Sequence, residues 1–433
     1  MESGVQDRRV LLVGGGLCGL TAAIFLKMAN IPFRIFESSD SPTNIGGTVT
    51  IFPNGMKVLR ECGVKDAVVG RGASTRRAVI QDQFGRQFST LTMGAAETYS
   101  EPTITIRRAL LHKILIEKAE GLGVKIEYGK RLVNLSQDHK KVSAEFGDQT
   151  RAEGAILLGA DGVHSIVRNH VVPENGGPAY SGLVFFAGFV DDQELISRAD
   201  LDRAAQYVTV GPIGFFGYSH VDHPTAPRPS VLWNCYLRQD NRIPSTDLKS
   251  MSDQAIRQRV MDAHQGWHWP VLDLIENSTT FCRTSVFEII GLNRWSRGRV
   301  VLIGDAAHAM NPVAGQGANM ALEDAQLLTE LLKHPELPAE PLFRHFEAVR
   351  KPRVTRAARR AHRSSKLTMV RVSGLRQWFR NAAYAAWTRM VPDRWTNRRF
   401  TYEVGRDREE ILRRLSIHPQ TSPSFSAMGK GSS

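Results

Sequence analysis

A short apolar run that ends in a cluster of glycines is the feature that most restricts how this chain can fold. The run is Val10-Leu11-Leu12-Val13, and it continues as Gly14-Gly15-Gly16-Leu17-Cys18-Gly19. Branched apolar residues in so short a run are typical of a buried parallel strand. We expect Gly14 to make a tight turn, Gly16 to let a pyrophosphate approach the backbone, and Gly19 to let the next helix pack close to the strand.

An acidic residue follows at the distance that a dinucleotide site requires. Apolar residues at helical spacing predict a helix over residues 20–28, whose N-terminal amides favour a phosphate. A second strand, residues 33–36, ends at Glu37, about twenty residues beyond the glycines, where a carboxylate can accept from a ribose diol. A glycine-rich turn without a ligand would not explain this agreement. An acid here suits an unphosphorylated ribose, so FAD or NAD fits better than NADP.

Two further pairs of an acid and a glycine stand at the ends of predicted strands. Asp161-Gly162 follows a strand over residues 154–158, and Gly304-Asp305 follows a strand over residues 300–303. Alone, either pair could be a turn or a helix cap. Because ligands of such sheets bind at the carboxyl ends of the strands, the three clusters together predict one site. The loop and helix start after the third pair offer backbone amides to an anion, such as the edge of a reduced flavin.

The character of the sequence changes between Gly182 and Cys282. Four strand-like runs, rich in aromatic residues, cover residues 183–190, 206–210, 214–220 and 231–238. They predict a mostly antiparallel sheet inserted into the first domain.

Other local signals predict single elements. Asn54 is expected to cap a helix over residues 55–62, and residues 132–146 to form a hairpin. Helices are also expected over residues 108–119 and 317–332.

The positive charge of the chain is concentrated near its carboxyl end. The net charge is +13, and from Arg350 to Arg414 there are 19 Lys and Arg residues against 5 Asp and Glu residues. We favour a solvated helical layer that steers substrate, then an anionic membrane surface, and last nucleic acid, for which no motif is present. For the aromatic residues of this segment, core packing is favoured over an amphipathic face at the substrate entrance or against a membrane; these residues are Trp378, Phe379, Tyr384, Trp387 and Trp395.

Cysteine usage and hydropathy predict the setting of the protein. The four cysteines lack the spacing of a metal site or a disulfide framework. Polar residues 1–9 leave no room for a signal peptide, and no apolar run approaches the ~18 residues of a membrane span. We expect a cytoplasmic monomer or homodimer without a metal, and peripheral membrane association stays open.

In order and spacing, the three clusters resemble those of the class A flavoprotein monooxygenases, the single-component FAD-dependent aromatic hydroxylases. The chain is most similar to the group that contains salicylate hydroxylase, kynurenine monooxygenase and zeaxanthin epoxidase. The resemblance covers about residues 8–350. It implies FAD as the cofactor and NADPH or NADH as a transient electron donor, in agreement with the lack of a second Gly-x-Gly-x-x-Gly after a strand.

The resemblance also implies roles for matching residues. The ADP half of FAD would be held by Gly14, Gly16, Gly19 and Glu37. The rest of the cofactor would be bound by Arg108 (with Arg107 as the fallback), Asp161, Asp305, Pro312, Gly315, Gly317, Ala318 and Asn319. Of these, Asp305 is implied to bind the ribityl chain, and the residues from Pro312 onwards to line the isoalloxazine. We expect His308 to be a structural part of the third motif rather than a base.

The implied reaction inserts one oxygen atom from O2 into a small molecule. NAD(P)H reduces FAD, O2 adds at flavin C4a, and the hydroperoxide passes one oxygen to an aromatic, polyketide-like, terpenoid-like or alkene substrate. Hydroxylation, epoxidation and degradation all stay open. The pocket must be dry, and the inserted sheet would supply its apolar lining. Polar candidates for catalysis on that sheet are Tyr218, His220, Tyr236 and Arg238.

Other functions use the same nucleotide fold. One is a flavin-dependent halogenase or a reductase, because Trp267-His268-Trp269-Pro270 resembles part of the halogenase motif Trp-x-Trp-x-Ile-Pro without its Ile-Pro end. Another is a non-catalytic flavoprotein with a basic docking tail.

We therefore predict an α/β fold, a Rossmann-like FAD-binding domain with an inserted, mostly antiparallel β-sheet substrate domain and a C-terminal helical segment. The FAD-binding domain is expected over residues 1–74, 107–178 and 286–350, and the substrate domain over residues 75–106 and 179–285. A basic helical region, 351–419, and a disordered tail, 420–433, are expected to follow.

Overall fold

The structure, a computed structural model, describes residues 9–42, 46–174, 177–368, 374–390 and 398–415. In chain order its strands are β1 (Val10–Val13), β2 (Phe33–Phe36), β3 (Thr48–Ile51), β4 (Ala73–Ser74), β5 (Arg77–Asp82), β6 (Gln87–Thr92), β7 (Ile104–Arg107), β8 (Ile126–Glu127), β9 (Leu132–Gln137), β10 (Val142–Phe146), β11 (Arg151–Gly154), β12 (Ile156–Gly159), β13 (Ala179–Val190), β14 (Ala205–Gly211), β15 (Gly214–His220), β16 (Val231–Arg238), β17 (Thr280–Glu288), β18 (Ser296–Arg297) and β19 (Val300–Leu302). Its α-helices are α1 (Leu17–Met28), α2 (Pro53–Glu61), α3 (Lys65–Val69), α4 (Ala96–Tyr99), α5 (Arg108–Gly121), α6 (Ile166–Val171), α7 (Gln193–Ala199), α8 (Ser245–Ser250), α9 (Asp253–Ala263), α10 (Val271–Glu276), α11 (Asp305–His308), α12 (Gly317–Leu332), α13 (Ala339–Thr368), α14 (Gly374–Met390) and α15 (Val404–Arg414).

A six-stranded sheet carries the three glycine-and-acid clusters. Its order is β18-β19-β12-β1-β2-β8, and every pair is parallel except β18 with β19. All four residues of β1 are buried, as expected for a central parallel strand. Because β1, β12 and β19 are parallel neighbours, the turns that follow them bring Gly14, Asp161 and Gly304 to one edge of the sheet. The predicted α/β fold with a Rossmann-like domain is confirmed.

Asn54 does not cap α2, so that prediction is wrong. The helix begins at Pro53, a residue suited to a first turn because it lacks an N–H, and Asn54 lies inside it. The Asn54 side chain is buried and donates to Glu323 Oε1 at 2.7 Å. A long-range partner has therefore replaced the local capping role that the sequence indicates.

A seven-stranded sheet forms the second layer, in the order β17-β13-β16-β15-β14-β5-β6. All its pairs are antiparallel except β14 with β5. Strands β15 and β16 begin and end at the predicted residues. Strand β7 pairs with β3 and β4 in a separate three-stranded sheet. The domain boundaries themselves stay a prediction.

The two faces of the seven-stranded sheet have different neighbours. One face, which we call the helix face, carries Phe216 and Trp233 against α9 and α10, and the Trp233 indole donates to Ser278 Oγ at 2.7 Å. The other face, the pocket face, carries Phe185, Phe215 and Tyr236. Side chains alternate along a strand, so residues of one strand one position apart belong to different faces.

Strands β9, β10 and β11 form another three-stranded sheet. The predicted hairpin over residues 132–146 is present as β9 and β10, and β11, which was not predicted, pairs with β10.

The C-terminal region is helical, as predicted, where the structure describes it. Its aromatic residues correct one prediction, because Trp378, Phe379 and Trp387 are exposed rather than packed in the core. Trp395 and the predicted tail, 420–433, lie outside the described residues. No helix in the described ranges combines the length and the apolar character needed to cross a bilayer.

Candidate active site

The turn after β1 has the geometry of a phosphate-binding turn. Gly14 has a φ of +109°, and a Cβ there would lie 2.3 Å from the carbonyl oxygen of Ala160. A Cβ on Gly19 would lie 1.9 Å from the carbonyl oxygen of Gly14, so α1 can approach only because Gly19 has no side chain. A Cβ on Gly16 would meet no described atom within 4 Å. Gly16 is therefore the position where a ligand can reach the backbone.

Glu37 lies against the same turn. Its Oε2 accepts from the Gly15 amide at 2.7 Å, and its Oε1 accepts from the Ser39 amide at 2.8 Å. Burial raises the pKa of Glu37, but the amides of Ser39 and Gly15 outweigh burial and hold the pKa below its usual value. The ionised carboxylate is thus fixed beside the glycines, as an acceptor for a ribose diol requires.

Asp161 and Asp305 lie at the same edge of the sheet but differ in burial and in hydrogen bonding. Asp161 Oδ2 accepts from the amides of Ile166 and Val167 at 2.8 and 3.1 Å, so it caps α6. Its Oδ1 is buried without a hydrogen-bond partner among the described residues, and burial raises the pKa of this carboxyl. Asp305 is exposed at the first position of α11. An exposed carboxylate at this position can accept hydrogen bonds from a polyhydroxyl chain.

The structure distinguishes the two candidate arginines. The Arg107 guanidinium lies over the Phe189 ring, 4.2 Å from its centroid, and pairs with Asp191 at 3.5 Å. Arg107 therefore joins the two layers of the protein. Arg108 is exposed, and its side-chain carbons lie beside Gly46. Arg108 is the arginine that remains available to a pyrophosphate.

Hydrogen bonds from the buried side chain of Asn319 fix the loop before α12. The Asn319 amide accepts from Phe52 N at 2.9 Å and donates to the carbonyl oxygens of Thr50 and Gly315 at 3.0 Å each. The side chain is fully buried, so it does not line a cofactor as the resemblance implied. It fixes Gly315, whose φ is +62°, at the helix start. Of the remaining predicted residues, Pro312 is exposed, and Gly315, Gly317 and Ala318 are half-buried.

A buried charge cluster behind the third motif was not predicted. Arg350 Nε donates to Asp324 Oδ1 at 2.7 Å, and its Nη1 donates to Glu323 Oε2 at 2.8 Å. All three side chains are inaccessible to solvent. Asp324 Oδ2 also accepts from the Gly304 amide at 3.0 Å and contacts His308 Nε2 at 2.5 Å. His308 is thus a structural residue, and α13 is tied to the turn that presents Asp305.

Cations determine the ionisation of this cluster. Burial raises the pKa of both Glu323 and Asp324, but Arg353 and Arg350 beside Glu323, and His308 and Arg350 beside Asp324, hold both pKa values below the usual range. Both carboxyls are therefore ionised, and Arg350 is their shared partner.

The pocket face of the seven-stranded sheet meets the nucleotide layer at an aromatic cluster. The Tyr236 ring lies 5.2 Å from Phe185 and 5.2 Å from Phe215, measured between centroids. A Cβ on Gly47 would lie 3.5 Å from the Phe185 ring, and Val313, next to Pro312, packs against the same cluster. The loops of the nucleotide layer and the pocket face therefore meet in one apolar region.

Of the four candidate catalytic residues, only Tyr236 belongs to this region. Burial raises the pKa of its phenol well above the usual value, so the group stays protonated and can donate a hydrogen bond but cannot act as a base. Tyr218 pairs with Trp233 across β15 and β16, which places Tyr218 and His220 on the helix face. Arg238 lies at the surface, with its Nε 2.7 Å from Asp240.

Tyr218 and His220 are engaged or buried away from the pocket face. Tyr218 accepts from Gln81 Nε2 at 2.8 Å and stacks on Tyr207 with centroids 5.1 Å apart. Burial lowers the pKa of His220 and keeps the ring neutral at physiological pH. Neither side chain can reach a substrate on the pocket face.

Asn234 is a polar residue of the pocket face that sequence reasoning missed. It pairs with Ala187 on one side and Gly217 on the other, two residues without bulky side chains. It is half-buried, and the structure shows no hydrogen-bond partner for its amide among the described residues. Its place two residues before Tyr236 is the signal that could have identified it.

The described residues fit FAD. The glycine turn has an open position at Gly16, Glu37 is fixed beside it, and Asp161 has an unpartnered oxygen. Asp305 is exposed at the same edge. Arg108 is exposed one turn before His112, whose Nε2 lies 2.7 Å from the Gly15 carbonyl oxygen. Within the described ranges no group of His, Cys, Asp and Glu could hold a metal ion.

Comparison with known proteins agrees with FAD as the cofactor. A model of the FAD binding domain family matches residues 7–361. The 3-amino-4-hydroxybenzoate 2-monooxygenase PtmB3 of Streptomyces platensis is 31% identical over 359 residues, 82% of this chain and 86% of the relative. The 6-hydroxynicotinate 3-monooxygenase of Pseudomonas fluorescens is 29% identical over 365 residues, 82% of this chain and 91% of the relative.

A solved structure shows the same fold. The crystal structure of Klebsiella pneumoniae HpxO complexed with FAD and uric acid has a TM-score of 0.75 at 24% identity, and the match covers 94% of this chain and 97% of that chain. The family match and the named relatives favour oxygenation over the halogenase, reductase and non-catalytic alternatives. The chain belongs to the FAD binding domain family, and it is a class A FAD-dependent monooxygenase.

Proposed function

We propose that the protein inserts one oxygen atom into a small aromatic ring that carries a hydrogen-bonding substituent. The observation that carries this proposal is the apolar region between the loops of the nucleotide layer and the pocket face, with Tyr236 and Asn234 as its polar groups. The two named relatives, an aminohydroxybenzoate and a hydroxynicotinate monooxygenase, support an aromatic substrate of this kind.

The residues of the chain bind and orient the substrate and exclude water. Phe185 and Phe215 offer ring surfaces on both sides of Tyr236, which suits a planar substrate. The Tyr236 phenol donates to a substrate oxygen, and the Asn234 amide both donates and accepts, so together they select a ring with polar substituents. Bound FAD, reduced by NADH or NADPH, supplies the activated oxygen.

The chain supplies no base on the pocket face at the positions we predicted. Tyr236 is held protonated by burial, and the predicted His220 is on the helix face. We therefore propose that the substrate contributes its own electron-rich substituent, such as a phenol or an amine, and that the protein fixes its direction.

The remaining partners belong to the same proposal. The electron donor binds transiently at the edge that presents Asp161, the protein is a monomer or a homodimer, and it contacts membranes peripherally. The local excess of positive charge after residue 350 supports the membrane contact.

The direct test is oxygen insertion by the purified, FAD-loaded protein. Hydroxybenzoates, aminobenzoates and hydroxypyridines would be screened for faster NADH or NADPH oxidation, and products analysed under ¹⁸O2. We expect at least one compound to accelerate flavin reduction and to gain one labelled oxygen atom. A protein that oxidises NAD(P)H equally with and without every aromatic compound, and labels none, would contradict the proposal.

Two variants test the polar groups. Tyr236→Phe and Asn234→Leu each remove one hydrogen bond to substrate, so we expect KM to rise about three- to tenfold, with FAD binding unchanged. Tyr218→Phe is the matched control, because it removes a hydroxyl from the helix face of the same sheet, where it contacts Gln81. An unchanged KM in both test variants would exclude these residues from substrate binding.

A further inference from the structure

Helix α14 packs on the edge strand β6 and on the turn before it, and polar side chains make these contacts. Gln377 donates to Gln83 Oε1 at 3.0 Å, and Ser89 donates to Thr388 Oγ1 at 2.8 Å. The Tyr384 ring meets Phe88 edge-on, with centroids 6.1 Å apart. The side chains that a soluble helix usually presents to water are therefore turned towards the protein.

The opposite side of α14 exposes large apolar side chains. Leu375 is 78% exposed, and Trp378 and Phe379 are 61% and 63% exposed. Met390 and Trp387 are exposed further along the helix. Leu375, Trp378, Phe379 and Met390 recur at spacings that share one side of a helix. Soluble proteins rarely leave several such side chains together in water, so this side indicates an interaction surface.

Two more exposed aromatic residues adjoin α14. Phe84 follows Gln83 in the turn between β5 and β6, and Trp269 follows His268, whose amide donates to the carbonyl oxygen of Gln83 at 2.9 Å. Gln83 thus contacts both α14 and the segment that carries Trp269. We call Phe84, Trp269 and the exposed apolar residues of α14 the edge patch.

Arginines accompany the aromatic residues of the edge patch. The Arg86 guanidinium lies 5.3 Å from the Phe84 centroid, and that of Arg198 lies 5.8 Å from Trp269. Arg376 is exposed in the first turn of α14. Aromatic rings mixed with arginines suit the boundary of a bilayer, where rings enter the interface and guanidinium groups bind lipid phosphates.

We infer that the edge patch docks on the surface of an anionic lipid bilayer. The net charge of +13 draws the protein towards anionic lipids, and insertion of Trp378, Phe379 and Leu375 then holds it there. This docking rests on the peripheral membrane contact proposed above and names the surface that makes it, and its test does not depend on which substrate is oxygenated. A second copy of the chain is the competing occupant, but two such patches would bring arginines together.

Co-sedimentation of the FAD-loaded full chain with vesicles tests this inference. We expect binding to phosphatidylcholine vesicles that contain phosphatidylglycerol, much weaker binding to phosphatidylcholine alone, and release by high salt. The double variant Trp378→Ser, Phe379→Ser should lower binding at least about tenfold. Val133→Ser is the matched control, since Val133 is an exposed apolar residue on β9, in another sheet.

The readouts separate docking from misfolding and from self-association. Retained FAD and an unchanged sedimentation coefficient show that the double variant is folded. Equal vesicle binding by the double variant and Val133→Ser would overturn the inference. So would a dimer that forms without lipid, dissociates in the double variant and leaves the parent protein unable to bind vesicles.

Discussion

Replacement of Arg350 by methionine tests whether the buried charge cluster supports the flavin edge. Methionine fills part of the space but leaves Glu323 and Asp324 without their shared cation in a site that excludes water. Removal of one partner of a buried ion pair costs about 3–5 kcal/mol. Arg353 still pairs with Glu323 at 2.7 Å, so we expect a value near the middle of that range, about 4 kcal/mol.

This loss in the free energy of unfolding can be measured as a decrease in the melting temperature, Tm. With an unfolding entropy of about 2.1 cal/mol/K per residue, a chain of 433 residues loses about 4 °C in Tm for about 4 kcal/mol. Differential scanning fluorimetry, followed through flavin emission and tryptophan emission, measures it. Because Asp324 also accepts from the Gly304 amide, FAD affinity should fall together with Tm.

The pH dependence identifies the electrostatic origin. In the parent, Arg350 helps to hold the pKa values of Glu323 and Asp324 below their unfolded values, so this contribution to stability is present above pH about 4 and is lost as pH falls further. In the variant, burial is opposed by one cation fewer at each carboxyl, so we expect both folded pKa values to rise above the unfolded ones. The variant should therefore lose more stability relative to the parent at about pH 8 than at about pH 5, where protonation of Glu323 and Asp324 removes part of the uncompensated charge.

The matched control is Arg344→Met, on the same helix. Arg344 pairs with Glu340 one turn away on the exposed surface, so its loss should cost at most about 0.5 kcal/mol, with little dependence on pH. Arg350→Lys keeps the charge but loses the planar fork and should be intermediate. An Arg350→Met protein that melts with the parent, or whose deficit is the same at both pH values, would refute the reasoning.

Three further predictions concern the cofactor. Gly16→Ala should fold normally but bind FAD at least about tenfold more weakly, whereas Gly19→Ala should lose stability, because only a Cβ at Gly19 overlaps the protein. Fluorescence titration measures the FAD affinity, and melting curves measure the stability. Equal affinity and equal stability of the two variants would contradict the assignment of Gly16 to the ligand. Arg108→Gln should raise the Kd for FAD about tenfold, while FAD bound as tightly as by the parent would remove this residue from the site. Glu37→Gln should weaken FAD binding about tenfold, and in the parent this contribution should disappear as pH falls through the lowered pKa of Glu37; a pH-independent ratio between the two proteins would argue against it.

The sequence predicted those parts of the site that depend on neighbours in the chain. The turn from Gly14 to Gly19 and the strand ends before Asp161 and Asp305 follow from short runs, and parallel pairing then brings them together. The strand bounds of β15 and β16 follow from alternation and turn residues. Because these signals come from neighbouring residues, tertiary contacts changed the predicted turns and strand bounds little.

The features that sequence reasoning missed depend on partners distant in the chain. Arg350 looked like one more solvated charge, and only the fold places it against Glu323 and Asp324 on α12. Alternation showed that Tyr218 and His220 share a face, but not which face α9 and α10 would cover. The pattern of α14 likewise shows two unlike sides without showing which one the protein turns inwards.

The cation at Arg350 limits how freely this enzyme can be recombined with its relatives. A chimaera joined before residue 350 would replace Arg350 and Arg353, and the acids of α12 would depend on the incoming sequence for their counter-ions. Carboxyl-terminal segments of relatives can therefore be exchanged only when they have arginines at the positions equivalent to 350 and 353. The carboxyl-terminal segment is therefore needed for the stability of the nucleotide layer, although every edge residue named above lies before α13 in the chain.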